Sequence, residues 1–267
     1  AEEWGRLIPA IEALDLLAAD RLGLQGDAYA LARSGVLPAT QYLAVARACK
    51  SAQDYPLWSD LAMNLRQMES LLARESFLPR FQAFGRDLFG PIARQVGWDP
   101  QLGEEHLRML LRSVVLGQLG SYEDLAVLEE AGRRFTRFQE DRSSLDPNLR
   151  AVVYGLAAQR GDRSTYDALR GLARGATLHE ERVRLEMALA RFAQPEFLQR
   201  TLELSLSEEV RSQDTVSLVS AVAANREGRD LAWAFVKEQW PEFDRRYSSG
   251  GFALMRLVSI TGSFTRP

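Results

Sequence analysis

The apolar positions of this chain recur three or four residues apart over most of its length, which is the spacing of one face of an α-helix. Residues 207–247 show this pattern most fully, because they contain two apolar stripes with a short polar turn between them. The stripes are Val216, Val219, Val222 and Ala223, followed by Leu231, Ala232, Phe235 and Val236. The pattern predicts a pair of amphipathic helices. Such a pair cannot bury both stripes alone, so it needs further helix pairs beside it.

The turn residues predict how this pair begins and ends. Asn225 and Gly228 tolerate a left-handed backbone, so we expect them to end the first helix and let the chain reverse. Pro241 has no amide hydrogen and must end the second helix, while its fixed φ suits the first turn of a third. The apolar positions Leu202, Leu204 and Leu206 alternate like those of a strand. They lie between helical runs, so we interpret them as a helix end.

Similar stripes, closed by Gly or Pro, follow one another along the whole chain. Their successive pairs recur at roughly thirty to forty residues, the period of HEAT and armadillo repeats. The sequence therefore predicts an all-α fold, an α-solenoid of HEAT/armadillo-like helix pairs, as a single domain over residues 1–267. A globular helical bundle is the alternative.

Two short polar patterns predict helix starts. Ser121 and Asp124 form an N-cap signal, and Thr177 and Glu180 stand at the spacing of a capping box. The second pattern overlaps His179–Glu180, the first half of an HExxH zinc motif. That motif needs a second imidazole one turn later, where this chain has Val183.

No other residue pattern supplies a catalytic centre. The chain has two histidines, His106 and His179, and one cysteine, Cys49, too few for a usual zinc site. It also lacks a phosphate-binding glycine loop and a G-x-S-x-G nucleophile motif. Paired carboxylates such as Glu208 and Glu209 are typical of helix caps and solvated faces. We therefore expect no metal and no cofactor in this chain, and an independent hydrolase is disfavoured.

The charge and the cysteine content limit the possible partners and the cellular compartment. The net charge is −3, from 33 basic and 36 acidic residues that are interspersed, which argues against a nucleic-acid partner. No run approaches the ~20 apolar residues of a membrane-spanning helix. A single cysteine in an apolar helix is typical of a buried residue in a reducing compartment, so we expect a cytoplasmic protein without a membrane partner.

Several short runs, in order, resemble the C-terminal helical domain of zinc aminopeptidases of the aminopeptidase N type, with the puromycin-sensitive branch as the nearest likeness. The runs include DRLGL at 20–24, LARSG at 31–35, LWSDL at 57–61, GWDP at 97–100, LSEEVR at 206–211 and QDTVS at 213–217. No single run is decisive, and the ordered series carries the resemblance.

The resemblance implies a non-catalytic domain of a larger enzyme that removes N-terminal residues from peptides. In that family zinc is held by a separate catalytic domain with HExxH and GxMxN motifs, and the helical domain closes the peptide chamber and limits substrate access and length. The implied partners are the catalytic domain of the same polypeptide and the peptide substrate. Family members continue through further helices, so we expect a domain truncated before its last helices.

The resemblance also suggests one substrate-binding residue. Family members direct basic side chains of this domain toward the C-terminal end of the substrate, and Arg256 lies in the corresponding region. A guanidinium group can bind a carboxylate through two charge-assisted hydrogen bonds. An arginine on a solvated helix face is the alternative for Arg256. For the whole chain, the alternative is a free-standing helical-repeat scaffold that binds a protein or peptide.

Overall fold

The computed structural model describes residues 2–264, and every regular element within that range is helical. The α-helices are α1 Glu2–Glu12, α2 Ala18–Arg33, α3 Ala39–Ala48, α4 Tyr55–Leu72, α5 Leu78–Val96, α6 His106–Ser121, α7 Leu125–Glu140, α8 Arg150–Gln159, α9 Arg163–Gly175, α10 His179–Leu189, α11 Pro195–Ser205, α12 Ser212–Ala224, α13 Arg229–Glu238, α14 Trp240–Tyr247 and α15 Ala253–Ser259. The predicted all-α fold is confirmed for this part of the chain.

The chain divides into two compact units, one up to Val127 and one from Leu128 onward. In the first unit α2 packs against α3 and α4, and α6 packs against α4 and α5. In the second unit α10 packs against α8 and α9, and α12 packs against α11 and α13. Within each unit a helix therefore contacts its next and next-but-one neighbours, because these supply the cover for its apolar stripe.

Aromatic rings fill the centre of the first unit. The ring centroids of Trp58 and Phe89 lie 5.0 Å apart, and those of Phe89 and Tyr122 lie 6.1 Å apart. A side chain at Gly85 would overlap the Tyr122 ring, so only glycine lets α5 approach it closely. Cys49 is fully buried in this unit, and burial raises the pKa of its thiol to about 12. The interpretation of Cys49 as a buried residue is confirmed.

A buried ion pair joins α6 to the loop that precedes it. Both oxygens of the Glu104 carboxylate accept hydrogen bonds from the Arg112 guanidinium, at 2.6 and 2.7 Å. Arg112 also donates to the carbonyl oxygens of Val96 and Gly97, at the end of α5. The Arg112 and Glu104 side chains are only 2% and 3% exposed. One guanidinium thus fixes the end of α5, the loop and α6 together.

The second unit confirms the predicted helix pair and shows why the chain reverses where it does. α12 and α13 carry the two stripes, α11 extends to Ser205 through the alternating leucines, and Pro241 lies in the first turn of α14. The expected left-handed backbone at Asn225 and Gly228 is wrong, since their φ angles are −76° and −96°.

Asn225 and Gly228 shape the turn by side-chain bonding and close approach instead. The Asn225 amide donates to the carbonyl oxygens of Ala190 and Phe192, at 2.9 and 2.8 Å, which ties the turn to the end of α10. A Cβ atom at Gly228 would lie 2.5 Å from the carbonyl oxygen of Val222. These are tertiary constraints, which a local turn signal does not contain.

The Arg112 ion pair yields a stability prediction. Arg112→Met leaves two carbonyl oxygens without their donor, and the buried Glu104 carboxylate keeps only the partly exposed Arg108 as an ion-pair partner. We therefore expect a loss of about 3–5 kcal/mol in the free energy of unfolding. The double variant Arg112→Met with Glu104→Leu should recover part of that loss, because no charge stays buried alone. Urea denaturation measures both. A double variant no more stable than the single one would contradict this account.

The same pair makes stability depend on pH. The hydrogen bonds from Arg112 lower the pKa of Glu104 below its ordinary value. A carboxyl with a lowered folded-state pKa contributes stability above its unfolded pKa of about 4.3 and loses it as the pH falls through the folded value.

Candidate functional site

A groove of the second unit lies beside Phe138. Its volume is about 500 Å³, and it lies between the end of α7, the 3₁₀ turn Arg142–Ser144, α9 and the start of α10. The lining residues on α9 and just after it are small or aliphatic, namely Ala168, Gly171, Leu172, Gly175 and Ala176. We call this surface the Phe138 groove.

Two arginines border the Phe138 groove. The Cζ atoms of Arg142 and Arg150 lie 4.8 and 5.2 Å from the centroid of the Phe138 ring, within cation–π range. Arg150 also pairs with Glu181 at 3.5 Å, whereas Arg142 makes no ion pair within residues 2–264. The groove therefore combines apolar surface with one uncompensated positive charge.

A second, smaller cavity lies between α9, α10 and the segment after α11. Its volume is about 160 Å³, and we call it the Glu186 cavity. Glu186 is 4% exposed and forms no hydrogen bond or ion pair with the described residues. Burial raises the pKa of its carboxyl to about 7, and the Asp214 carboxylate contributes in the same direction. Arg182 lines the same cavity, and its Nε–H is buried without an acceptor.

Glu209 lies at the solvent side of the Glu186 cavity between two arginines of α9. It accepts two hydrogen bonds from Arg170, both 2.7 Å, and two from Arg174, at 2.9 and 3.1 Å. These hydrogen bonds lower the pKa of the Glu209 carboxyl to about 2. The side chains of Glu209 and Arg174 are 42% and 62% exposed, so this cluster faces water.

His179 takes part in a side-chain contact between α10 and α12. Its Nε2 atom lies 3.2 Å from an oxygen of Asp214 and 3.4 Å from the Gln213 amide nitrogen. Among the described residues, no group of three His, Cys, Asp or Glu side chains is arranged to hold a metal ion. The donor set of this part of the chain therefore does not fit zinc.

One of the two predicted helix caps is wrong. α10 begins at His179 after Leu178, without a side-chain cap, and Glu180 bonds instead to Arg184 at 2.7 Å. The helix starts one residue later than a capping box at Thr177 would require. The other prediction is confirmed only for Asp124, whose carboxylate accepts a hydrogen bond from the Val127 amide at 3.1 Å as α7 begins. Ser121 is the last residue of α6, and its hydroxyl donates to the Gln118 carbonyl oxygen.

The structure places Arg256 on α15, with an exposed side chain. Its guanidinium lies 3.5 Å from the Ser217 hydroxyl of α12 and forms no ion pair within residues 2–264. Arg256 lines neither the Phe138 groove nor the Glu186 cavity. Sequence reasoning did not single out Arg182 and Glu186. Their spacing of four residues was the available signal, but it is also that of an ordinary exposed ion pair on a helix.

None of the helices within residues 2–264 is long and apolar enough to cross a membrane.

The whole chain, residues 1–267, matches the model of the family described as "ERAP1-like C-terminal domain", and the chain belongs to that family. It is 35% identical over 266 residues to Aminopeptidase M1-A of Oryza sativa subsp. japonica, and 32% identical over 261 residues to Aminopeptidase M1 of Arabidopsis thaliana. It is also 31% identical over 250 residues to Glutamyl aminopeptidase of Bitis rhinoceros.

These three alignments cover 97%, 95% and 92% of this chain, but only 30%, 29% and 26% of the relatives. The chain thus spans less than a third of the length of these relatives. The expected likeness to the C-terminal helical domain of aminopeptidases is confirmed at the level of the domain family.

Glu186 gives a stability prediction with a defined sign. Its folded-state pKa of about 7 lies above the unfolded value, so the folded protein loses stability as the pH rises toward 7. Glu186→Gln cannot ionise. We expect this variant to match the wild type at about pH 5 and to exceed it by roughly 2–4 kcal/mol at about pH 8.5.

Urea denaturation at the two pH values measures this difference. Glu180→Gln is the matched control, because Glu180 lies on the same helix with its side chain 78% exposed. A gap between Glu186→Gln and the wild type that stays constant with pH would refute the prediction.

Proposed function

We propose that this chain is the non-catalytic C-terminal helical domain of a zinc-dependent aminopeptidase that removes N-terminal residues from peptides. The observation that carries the proposal is the family match over residues 1–267, together with relatives named aminopeptidases. In this proposal zinc belongs to the catalytic domain, because the described donors of this chain do not fit it. The zinc would supply Lewis-acid activation of the scissile peptide bond there.

The proposed role of the domain is to close the peptide chamber and to limit the access and length of substrates. Its partners would be the catalytic domain of the same polypeptide and the peptide. Packing of helices such as α2, α6, α10 and α12 on their next or next-but-one neighbours supports an α-solenoid of HEAT/armadillo-like pairs within each unit. The likeness to the puromycin-sensitive branch and a cytoplasmic location stay predictions from the sequence.

The Phe138 groove supports a second candidate function, that of a free-standing scaffold. A free-standing scaffold would use this groove, with its apolar lining and the uncompensated Arg142, to bind an extended segment of another protein. The two functions differ in the fate of the bound segment. An aminopeptidase cleaves its peptide, whereas a scaffold leaves its partner intact.

A reconstitution assay tests the proposed function. The catalytic part of the same polypeptide is expressed separately and assayed with and without this chain, on an aminoacyl reporter and on a longer peptide. We expect the chain to change the ratio of the two cleavage rates, because it would restrict access to the chamber. No binding and no change in that ratio would favour the scaffold.

The chain alone is the control for this assay. We expect it to leave both substrates uncleaved, since the described residues contain no metal site and the sequence contains no nucleophile motif. Cleavage by the pure chain that a metal chelator abolishes would overturn the assignment as a non-catalytic domain.

Arg256 is proposed to bind the peptide substrate. Losing a charge-assisted hydrogen bond costs about 1.5–3 kcal/mol, so we expect Arg256→Gln to weaken peptide binding by roughly 10- to 100-fold in the reconstituted enzyme. The control is Arg245→Gln, an exposed arginine that pairs with Glu242 on its own helix. Equal peptide affinity in both variants would remove Arg256 from the site.

A further inference from the structure

Two groups of opposite charge line the Glu186 cavity with hydrogen-bonding capacity to spare. The Arg182 guanidinium donates to the Ala176 carbonyl oxygen at 3.2 Å, but its Nε–H is buried without an acceptor. Glu186 and Arg182 lie one helical turn apart on α10, line the same cavity, and form no bond with each other. A buried polar group without a partner costs about 1–3 kcal/mol. The Arg182 Nε–H and the Glu186 carboxyl can therefore form hydrogen bonds with a ligand that enters the cavity from solution.

The charges around Glu186 show what kind of ligand fits. Six charged side chains lie at the cavity or act on Glu186. Arg182 of α10, Glu209 and Arg211 of the segment after α11 and Asp214 of α12 act on its carboxyl electrostatically, and Arg170 and Arg174 of α9 line the cavity. Four are positive and two are negative. His179, which pairs with Asp214, adds a further positive charge when it is protonated. A cavity with this surplus attracts an anion whenever Glu186 is neutral.

We propose that the Glu186 cavity binds a small oxyanion, a carboxylate or a phosphate, together with one proton. The Nε–H of Arg182 donates to one oxygen of the ligand. The proton resides on Glu186, and its carboxyl O–H donates to another oxygen. No covalent bond forms or breaks except that of this proton. The inference does not rest on the proposed function.

The dimensions and the electrostatics agree with this ligand. A volume of about 160 Å³ has room for acetate or inorganic phosphate and excludes a folded partner. Burial already raises the pKa of Glu186 to about 7, so protonation near neutrality costs little. Water is the alternative occupant, because it can also donate to Glu186 and accept from Arg182.

The pH dependence of binding distinguishes an oxyanion ligand from water as the occupant of the cavity. Sodium acetate is titrated into the 267-residue chain in a calorimeter, at about pH 6 and about pH 8.5, with chloride holding the ionic strength constant. We expect saturable binding at the lower pH that weakens about tenfold per pH unit above the pKa of Glu186. Acetate stays a monoanion throughout, so this change reports on the protein. A parallel titration with inorganic phosphate shows which of the two oxyanions the cavity prefers.

Three variants test which residues cause the pH-dependent binding of acetate. Glu186→Gln keeps a donor and cannot ionise, so acetate should bind it equally at both pH values. Arg182→Gln should lose at least about tenfold in affinity at both. Glu180→Gln, on the exposed face of the same helix, should behave as the wild type does.

The proposal is overturned if neither probe binds the wild type saturably at about pH 6, which would leave water as the occupant. It is also overturned if the pH dependence persists in Glu186→Gln, which would show that Glu186 does not carry the proton. Should Arg182→Gln fail to fold, the comparison between the wild type and Glu186→Gln decides alone.

Discussion

An amphipathic helix is stable in water only when other helices cover its apolar stripe, and this requirement determines how each unit of the chain is built. Coverage comes from the next helix and the next but one, as α10 and α12 show. Polar links fix the joints between the covered helices. The Arg112 guanidinium joins the end of α5 to α6, and the Asn225 amide joins the turn after α12 to the end of α10. Apolar cover supplies the stability, and these links set the register.

The helical period alone was enough to predict the fold class and the position of the α12–α13 pair, because that period is a local property of the sequence. The start of α14, with Pro241 in its first turn, was predictable for the same reason, since proline acts on its own backbone. The roles of Asn225 and Gly228 were not predictable from the local sequence. Their backbones are not left-handed, and what constrains them is a contact with residues that are distant in sequence or across the turn. Local conformational propensity does not predict such tertiary contacts.

The candidate sites also depend on tertiary contacts that the local sequence does not reveal. Arg182 and Glu186, like Arg170 and Arg174, stand four residues apart, which on an isolated helix is the spacing of neighbours on an exposed face. The packing of neighbouring helices and of the segment around Glu209 buries Glu186, and this packing is not visible in the sequence. Arg256 was selected through family resemblance, and the structure places it on an exposed face apart from both cavities. Charge patterns along a helix therefore do not separate a solvated face from a buried site.

The four hydrogen bonds that hold Glu209 between Arg170 and Arg174 have a kinetic consequence. They lie along the solvent side of the Glu186 cavity, so breaking and re-forming them changes how easily a ligand exchanges between the cavity and water. Salt weakens contacts between exposed charges, whereas it acts much less on buried ones. Raising the ionic strength should thus speed both entry and escape while leaving the cavity itself unchanged. The exchange rate would be set by the surface ion cluster and the affinity by the buried groups.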